Sequence, residues 1–133
     1  MVLPITSLTA AALALLLLAL AIETVSKRLK LKAAFGDADD RGLIAASRSH
    51  GNLAEHAPIV LIMLGLLEYG GTNATVLTVL AGAFVVARIA HAIGLHQNAE
   101  PGKAPLPRQI GVILTWLIML GFAGMLILMV VAK

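Results

Sequence analysis

The sequence predicts an all-α integral membrane protein: a bundle of four transmembrane helices in a single domain, residues 1–133. Three observations point there. First, 59% of the 133 residues are hydrophobic and 13% are charged, whereas about a quarter of a soluble domain is charged. Second, the apolar residues gather into four runs, each near the roughly 20 residues that cross a hydrocarbon core. Third, the charges gather between those runs, apart from polar groups at residues 48–58 and 88–91. With no cysteine, the chain offers no disulfide, thiolate metal ligand or cysteine nucleophile. One Trp, one Tyr and three Phe give no stacking platform for nucleic acid. The net charge of +3 comes from membrane-flanking positions, so no nucleic-acid partner is expected.

The first helix is expected over residues 3–26. A cleaved signal peptide needs a positive segment ahead of its apolar run, and no Lys or Arg precedes Lys27, so this run is read as a span. The basic residues 27–32 follow it, as a topology determinant and headgroup anchor, then an acidic turn in which Asp39 or Asp40 can cap the next helix. The second helix is expected over residues 41–68. Pro58 lies inside it, cannot donate to the carbonyl of Ala54, and is expected to kink it. Gly70 and Gly71 stop it, and Thr72, Asn73 or Thr75 can cap the third helix, over residues 74–96. His96 starts a proline-containing loop and is expected to be solvated. The fourth helix, residues 108–132, carries no charge from Ile110 to Ala132. Gly111, Gly121 and Gly124 are expected to permit close helix packing.

The positive-inside rule sets the orientation. Lys27, Arg28, Lys30, Lys32, Arg41, Lys103 and Arg108 belong to the first and third connections, and Lys133 alone lies on the other side. Both termini are therefore expected outside and the loops 27–41 and 96–108 in the cytoplasm.

The most polar stretch is RSHGNLAEHAP, residues 48–58, which runs directly into the apolar second span. Ionisable groups in a membrane are costly and face a bundle interior or a wet cavity, which makes them functional candidates. Arg48, Asn52 and Glu55 stand four and seven apart, so they share one helix face, with His56 beside it. Arg88 and His91 share a face of the third helix. The topology brings these groups, the exit of the first helix and Arg108 to one depth. Arginine forks suit carboxylates or phosphates, Glu55 suits an ammonium group or one of the arginines, and Asn52 suits an amide. Glutathione matches that inventory, with a lipophilic second substrate arriving from the bilayer. His50 and His56, six apart, do not share a face, so no metal site is expected.

Arg48-x-x-x-Asn52-x-x-Glu55-x-x-Pro58, after a basic loop and before an apolar helix, resembles the signature of the MAPEG family, the membrane-associated proteins of eicosanoid and glutathione metabolism. Residues 88–91, RIAH, resemble that family's third-helix motif, and the four-span pattern is similar over essentially the whole chain, most of all to small bacterial members. The resemblance implies a homotrimer in the inner membrane of a bacterium, with glutathione between subunits near the cytoplasmic face. It implies a transferase, peroxidase or isomerase acting on lipophilic electrophiles or hydroperoxides. It maps Arg48, Asn52, Glu55, His56, Arg88 and His91 onto glutathione-binding positions, and Arg108 onto the arginine credited with stabilising the thiolate. Several members carry tyrosines where this chain has His56, His91 and Leu95, and Tyr69 is expected at the opposite membrane face.

Other readings of the same residues remain. Arg48, Glu55 and Arg88 can form an interhelical ion-pair network that holds the bundle's register. The protein can bind glutathione or another small anion without catalysis, or serve as a structural assembly partner. A transporter is disfavoured, because the polar cluster lies at one membrane end and no inverted repeat is visible. Trp116 is too deep for an interfacial belt and lines either a subunit contact or the lipophilic route inward.

Overall fold

The computed structural model describes residues 3–98 and 103–132. Within them the chain forms four helices: α1 Pro4–Leu31, α2 Arg41–Tyr69, α3 Ala74–His96 and α4 Leu106–Val131. All four are long and apolar enough to cross a membrane, and the protein is an all-α integral membrane protein. Residues 99–102 of the third connection, and Lys133, lie outside the described residues.

The helix ends follow local chemistry. Pro4 opens α1, where its missing N–H costs nothing. α1 continues to Leu31, five residues beyond the expected end, so Lys27, Arg28 and Lys30 form its last turns rather than a connection. Lys32 then closes it with left-handed geometry at φ 54°. Arg28 Nη1 donates to the Gly36 carbonyl at 3.0 Å, holding the turn beneath it. The Asp40 side chain accepts from Leu43 N–H at 2.8 Å and caps α2. α2 runs unbroken through Pro58 and ends at Gly70, followed by Gly71 at φ +81°. The Asn73 side chain caps α3 through Thr75 and Val76 N–H. Pro105 precedes α4, which starts at Leu106, two residues earlier than expected.

α2 packs against each of the other helices, as does α3, while α1 and α4 do not touch. The core therefore lies along α2 and α3. Leu53, Val60, Leu64 and Leu67 of α2 meet Leu77, Ala81 and Phe84 of α3, closed by Leu13 and Leu20 of α1 and by Ile118 and Phe122 of α4. Most of the apolar surface of α1 and α4 points outward, as suits helices bathed in lipid. Close approach of α3 to α4 is made by two glycines. A Cβ on Gly111 would stand 2.6 Å from the Ala87 carbonyl and 2.8 Å from His91 N, and a Cβ on Gly94 would meet the main chain of Arg108. Gly111 thus has the packing role expected of it. A Cβ on Gly121, which is exposed, or on Gly124, which is half-buried, would meet nothing within 4 Å among the described residues.

At the end away from the polar stretch, Glu68 caps α1. Its carboxylate accepts from Ile5 N–H and Thr6 N–H at 2.8 Å each and from Thr6 Oγ1 at 2.6 Å. α1 has no side-chain cap of its own, so a carboxylate from α2 satisfies its orphan donors and complements its positive end. Glu68→Ala should lower unfolding stability in detergent by about 1–2 kcal/mol, with Glu68→Gln losing less, since a neutral amide oxygen still accepts. Thermal or denaturant unfolding checks this ordering; equal losses would remove charge from the explanation.

Candidate functional site

A cavity of ≈ 170 Å³ opens at the end of the bundle where α2 and α4 begin and α3 ends. α2 contributes Arg48, Asn52 and His56 to its wall, α3 contributes Arg88, His91 and Leu95, and α4 contributes Arg108, Val112, Thr115 and Trp116. The expected convergence of polar groups is present from three helices. α1 contributes none. Its own polar end meets His96 instead: Nε2 lies 3.0 Å from Glu23 Oε1 and Nδ1 lies 2.8 Å from the Ala92 carbonyl. His96, expected in a solvated loop, is the last residue of α3 and ties it to α1.

The α2 wall differs from the expected face. Arg48, Asn52 and His56 line the cavity, while Glu55 is exposed on the outside of the chain. Helix geometry explains this. At about 100° per residue, Asn52 lies roughly 40° and His56 roughly 80° around the axis from Arg48, whereas Glu55 falls roughly 20° the other way. The cavity is centred on the Asn52 side. His56 Nδ1 lies 2.8 Å from the Asn52 carbonyl, which fixes the ring along its own helix.

Arg88 is the internal strut of the site. It is 3% exposed. Nη1 donates to Asn52 Oδ1 at 2.8 Å and Nη2 to the Gly111 carbonyl at 3.0 Å, so one guanidinium joins three helices. The same carbonyl accepts from Thr115 Oγ1 at 2.8 Å. The Phe84 ring lies 5.9 Å from the guanidinium carbon. The ion-pair network considered for Arg48, Glu55 and Arg88 is not formed within the chain: among the described residues, salt bridges join Glu23 to Lys27 and His96. Among the described residues, Ser49 Oγ, Arg88 Nε and His91 Nδ1 are buried without a hydrogen-bond partner, and the last two belong to residues that line the cavity. Buried polar atoms are ordinarily satisfied, and each exception calls for an explanation such as a bound group.

Three guanidinium groups, from Arg48, Arg88 and Arg108, thus border one cavity that no carboxylate among the described residues lines. That arrangement favours an anion. Trp116, 62% exposed, belongs to the cavity wall and to the outer surface of α4, so the site communicates with the membrane side of the bundle. Sequence reasoning missed Thr115 and Val112. The signal was present: Arg108, Val112 and Thr115 stand four and seven apart on α4, and Thr115 is an isolated polar residue in an apolar run.

The fold and site define a polytopic membrane protein with a cationic cavity at one end of a four-helix bundle. The chain belongs to the MAPEG family, whose profile matches residues 6–128. It is similar to the inner membrane protein YecN of Escherichia coli K12, with 28% identity over 94 residues, covering 71% of this chain and 72% of the relative. The same values hold for YecN of Escherichia coli O6:H1. No solved structure matches the chain.

Proposed function

We propose that this protein is a glutathione-dependent membrane enzyme, a transferase or peroxidase acting on lipophilic electrophiles or hydroperoxides. The observation that carries the reading is the cavity with three arginines and, among the described residues, no lining carboxylate, in a chain of the MAPEG family. Arg48, Asn52 and Arg88 hold the carboxylates and amides of glutathione, with His56 and His91 completing the wall. Arg108 faces the sulfur. A thiol of pKa about 8.5 is mostly protonated at neutral pH, and a guanidinium in a poorly solvated site favours the thiolate. The thiolate then forms a C–S bond at the electrophilic carbon, either displacing a leaving group that departs with the electrons of its broken bond, or adding across an activated double bond whose π electrons take up a proton. With a hydroperoxide, two glutathiones become the disulfide while the hydroperoxide becomes an alcohol and water. The second substrate enters past Trp116 from the bilayer.

The working unit is a homotrimer with glutathione between subunits. Two observations support a neighbour beside the site. The cavity of ≈ 170 Å³ falls below the about 300–1,000 Å³ of ordinary ligand pockets, so one chain encloses only part of glutathione. Glu55 is exposed and has no ion-pair partner among the described residues, fourteen residues beyond Arg41. That places it roughly 21 Å along the helix, near the middle of its 29 residues, where a bare carboxylate facing lipid is costly. A second copy covering this face shields Glu55 and lets it meet the glutathione ammonium. The protein lies in a bacterial inner membrane, as the YecN relatives are named to do, with both termini outside and the cavity towards the cytoplasm.

Calorimetry with glutathione on the detergent-solubilised protein tests the reading. Saturable binding is expected, lost in Arg48→Ala and weakened at least about tenfold in Glu55→Ala. No binding up to millimolar glutathione, with the oligomer intact, would reject it. A second reading, binding without catalysis, is favoured by one observation: Tyr69, the sole tyrosine, is exposed at the far end of α2, so no phenol reaches the sulfur. It predicts the same binding with no turnover above background.

A further inference from the structure

We infer a second anion subsite, built for a single phosphate group, below the cavity described above. A separate cavity of ≈ 180 Å³ lies between the starts of α2 and α4 and the end of α3. Arg41, Arg48 and Arg108 border it. Arg48 and Arg108 border the upper cavity as well, so the two spaces meet at those side chains. Among the described residues no carboxylate lines the lower cavity, and none pairs with its three arginines.

The remaining construction suits an oxyanion. Arg41 is anchored by one nitrogen, with Nη2 donating to the Gln97 carbonyl at 2.8 Å. That bond orients the guanidinium and leaves its other donors for a ligand. The start of α4 forms another wall at Pro105 and has no side-chain cap, so the positive end of a helix adds to the same field. Clustered guanidinium forks in a confined space are the usual means of holding phosphate. The cavity holds one such group and is too small for a nucleotide. It lies at the bundle end that carries the basic last turns of α1, where Lys27 and Arg41 border a neighbouring cavity, and basic residues flanking a span suit the headgroup level. The phosphate can therefore come from solution or from an anionic phospholipid whose tails lie along the bundle.

The subsite stands whether or not the upper cavity takes glutathione, and its test uses no glutathione. Inorganic phosphate is titrated calorimetrically into the full chain in a zwitterionic detergent-free nanodisc of phosphatidylcholine. In parallel, retention of phosphatidylglycerol is read by native mass spectrometry from mixed phosphatidylcholine and phosphatidylglycerol nanodiscs. Two variants accompany both arms. Arg41→Gln keeps an amide donor for Gln97, and Ile44→Glu, at a 40% exposed position on the cavity edge, introduces a repelling carboxylate without disturbing the core. Binding in either arm, weakened at least about tenfold by both variants, supports the subsite, and the responding arm identifies the source. Binding in neither arm, or binding indifferent to both variants with unchanged melting temperature, overturns it.

Discussion

On the proposed function, Gly94→Ala should lower glutathione-dependent turnover at least about 100-fold while leaving four helices intact. A methyl group at this position would stand 2.7 Å from Arg108 Cβ and 2.8 Å from its Cα. Those atoms belong to the first turns of α4 and cannot rotate away as a flexible side chain would. The helices must separate, and Arg108 moves with its main chain. A displacement of about 1 Å in a positioned catalytic group is enough for a hundredfold loss. Gly82→Ala is the control, because nothing lies within 4 Å of its added carbon, and alanine is the better helix former by about 1 kcal/mol. Circular dichroism, melting temperature and turnover separate the outcomes. Equal turnover in the two variants would mean that α3 and α4 need not approach so closely for function.

Arg108→Ala should abolish most turnover with glutathione binding kept within a few-fold. If the guanidinium lowers the bound thiol's pKa by about two units, it supplies about 2.7 kcal/mol, a factor of about 100 in thiolate at neutral pH. The sign can be checked through pH. In the wild type the thiolate is formed above about pH 6.5 on that estimate; in Arg108→Ala, activity should keep rising through about pH 8.5, where an unassisted thiol ionises. Arg108→Lys should restore part of the loss, since a point charge acts without the fork. The fold should be little affected, because the Arg108 side chain has no ion-pair partner among the described residues. Arg88 differs: its guanidinium holds Asn52 and the Gly111 carbonyl, so its removal confounds structure with chemistry. Unchanged turnover and an unchanged pH profile in Arg108→Ala would exclude it as the thiolate partner. Binding without turnover in the wild type, against every electrophile and hydroperoxide tried, would leave the non-catalytic reading standing.

The sequence alone determined the four spans, the all-α class and the main polar positions. Each of these is a local property. The free energy of placing a run in hydrocarbon depends on its length and composition, and the caps at Asp40 and Asn73 act within three residues of themselves. Arg48, Asn52, Arg88, His91 and Arg108 could be singled out because polar groups beside an apolar run stand out against it. Tertiary structure alone decided which way those residues face. Spacing put Glu55 nearer to Arg48 than His56 is, yet His56 lines the cavity and Glu55 lies outside, because a helix's rotation about its axis is set by its neighbours. The same holds for partners distant in sequence: the Glu68 cap on α1, the bond of His96 to Glu23, and the three-helix clasp of Arg88. Each joins residues brought together only by packing, which in α3 and α4 turns on two glycines that let one main chain rest against another.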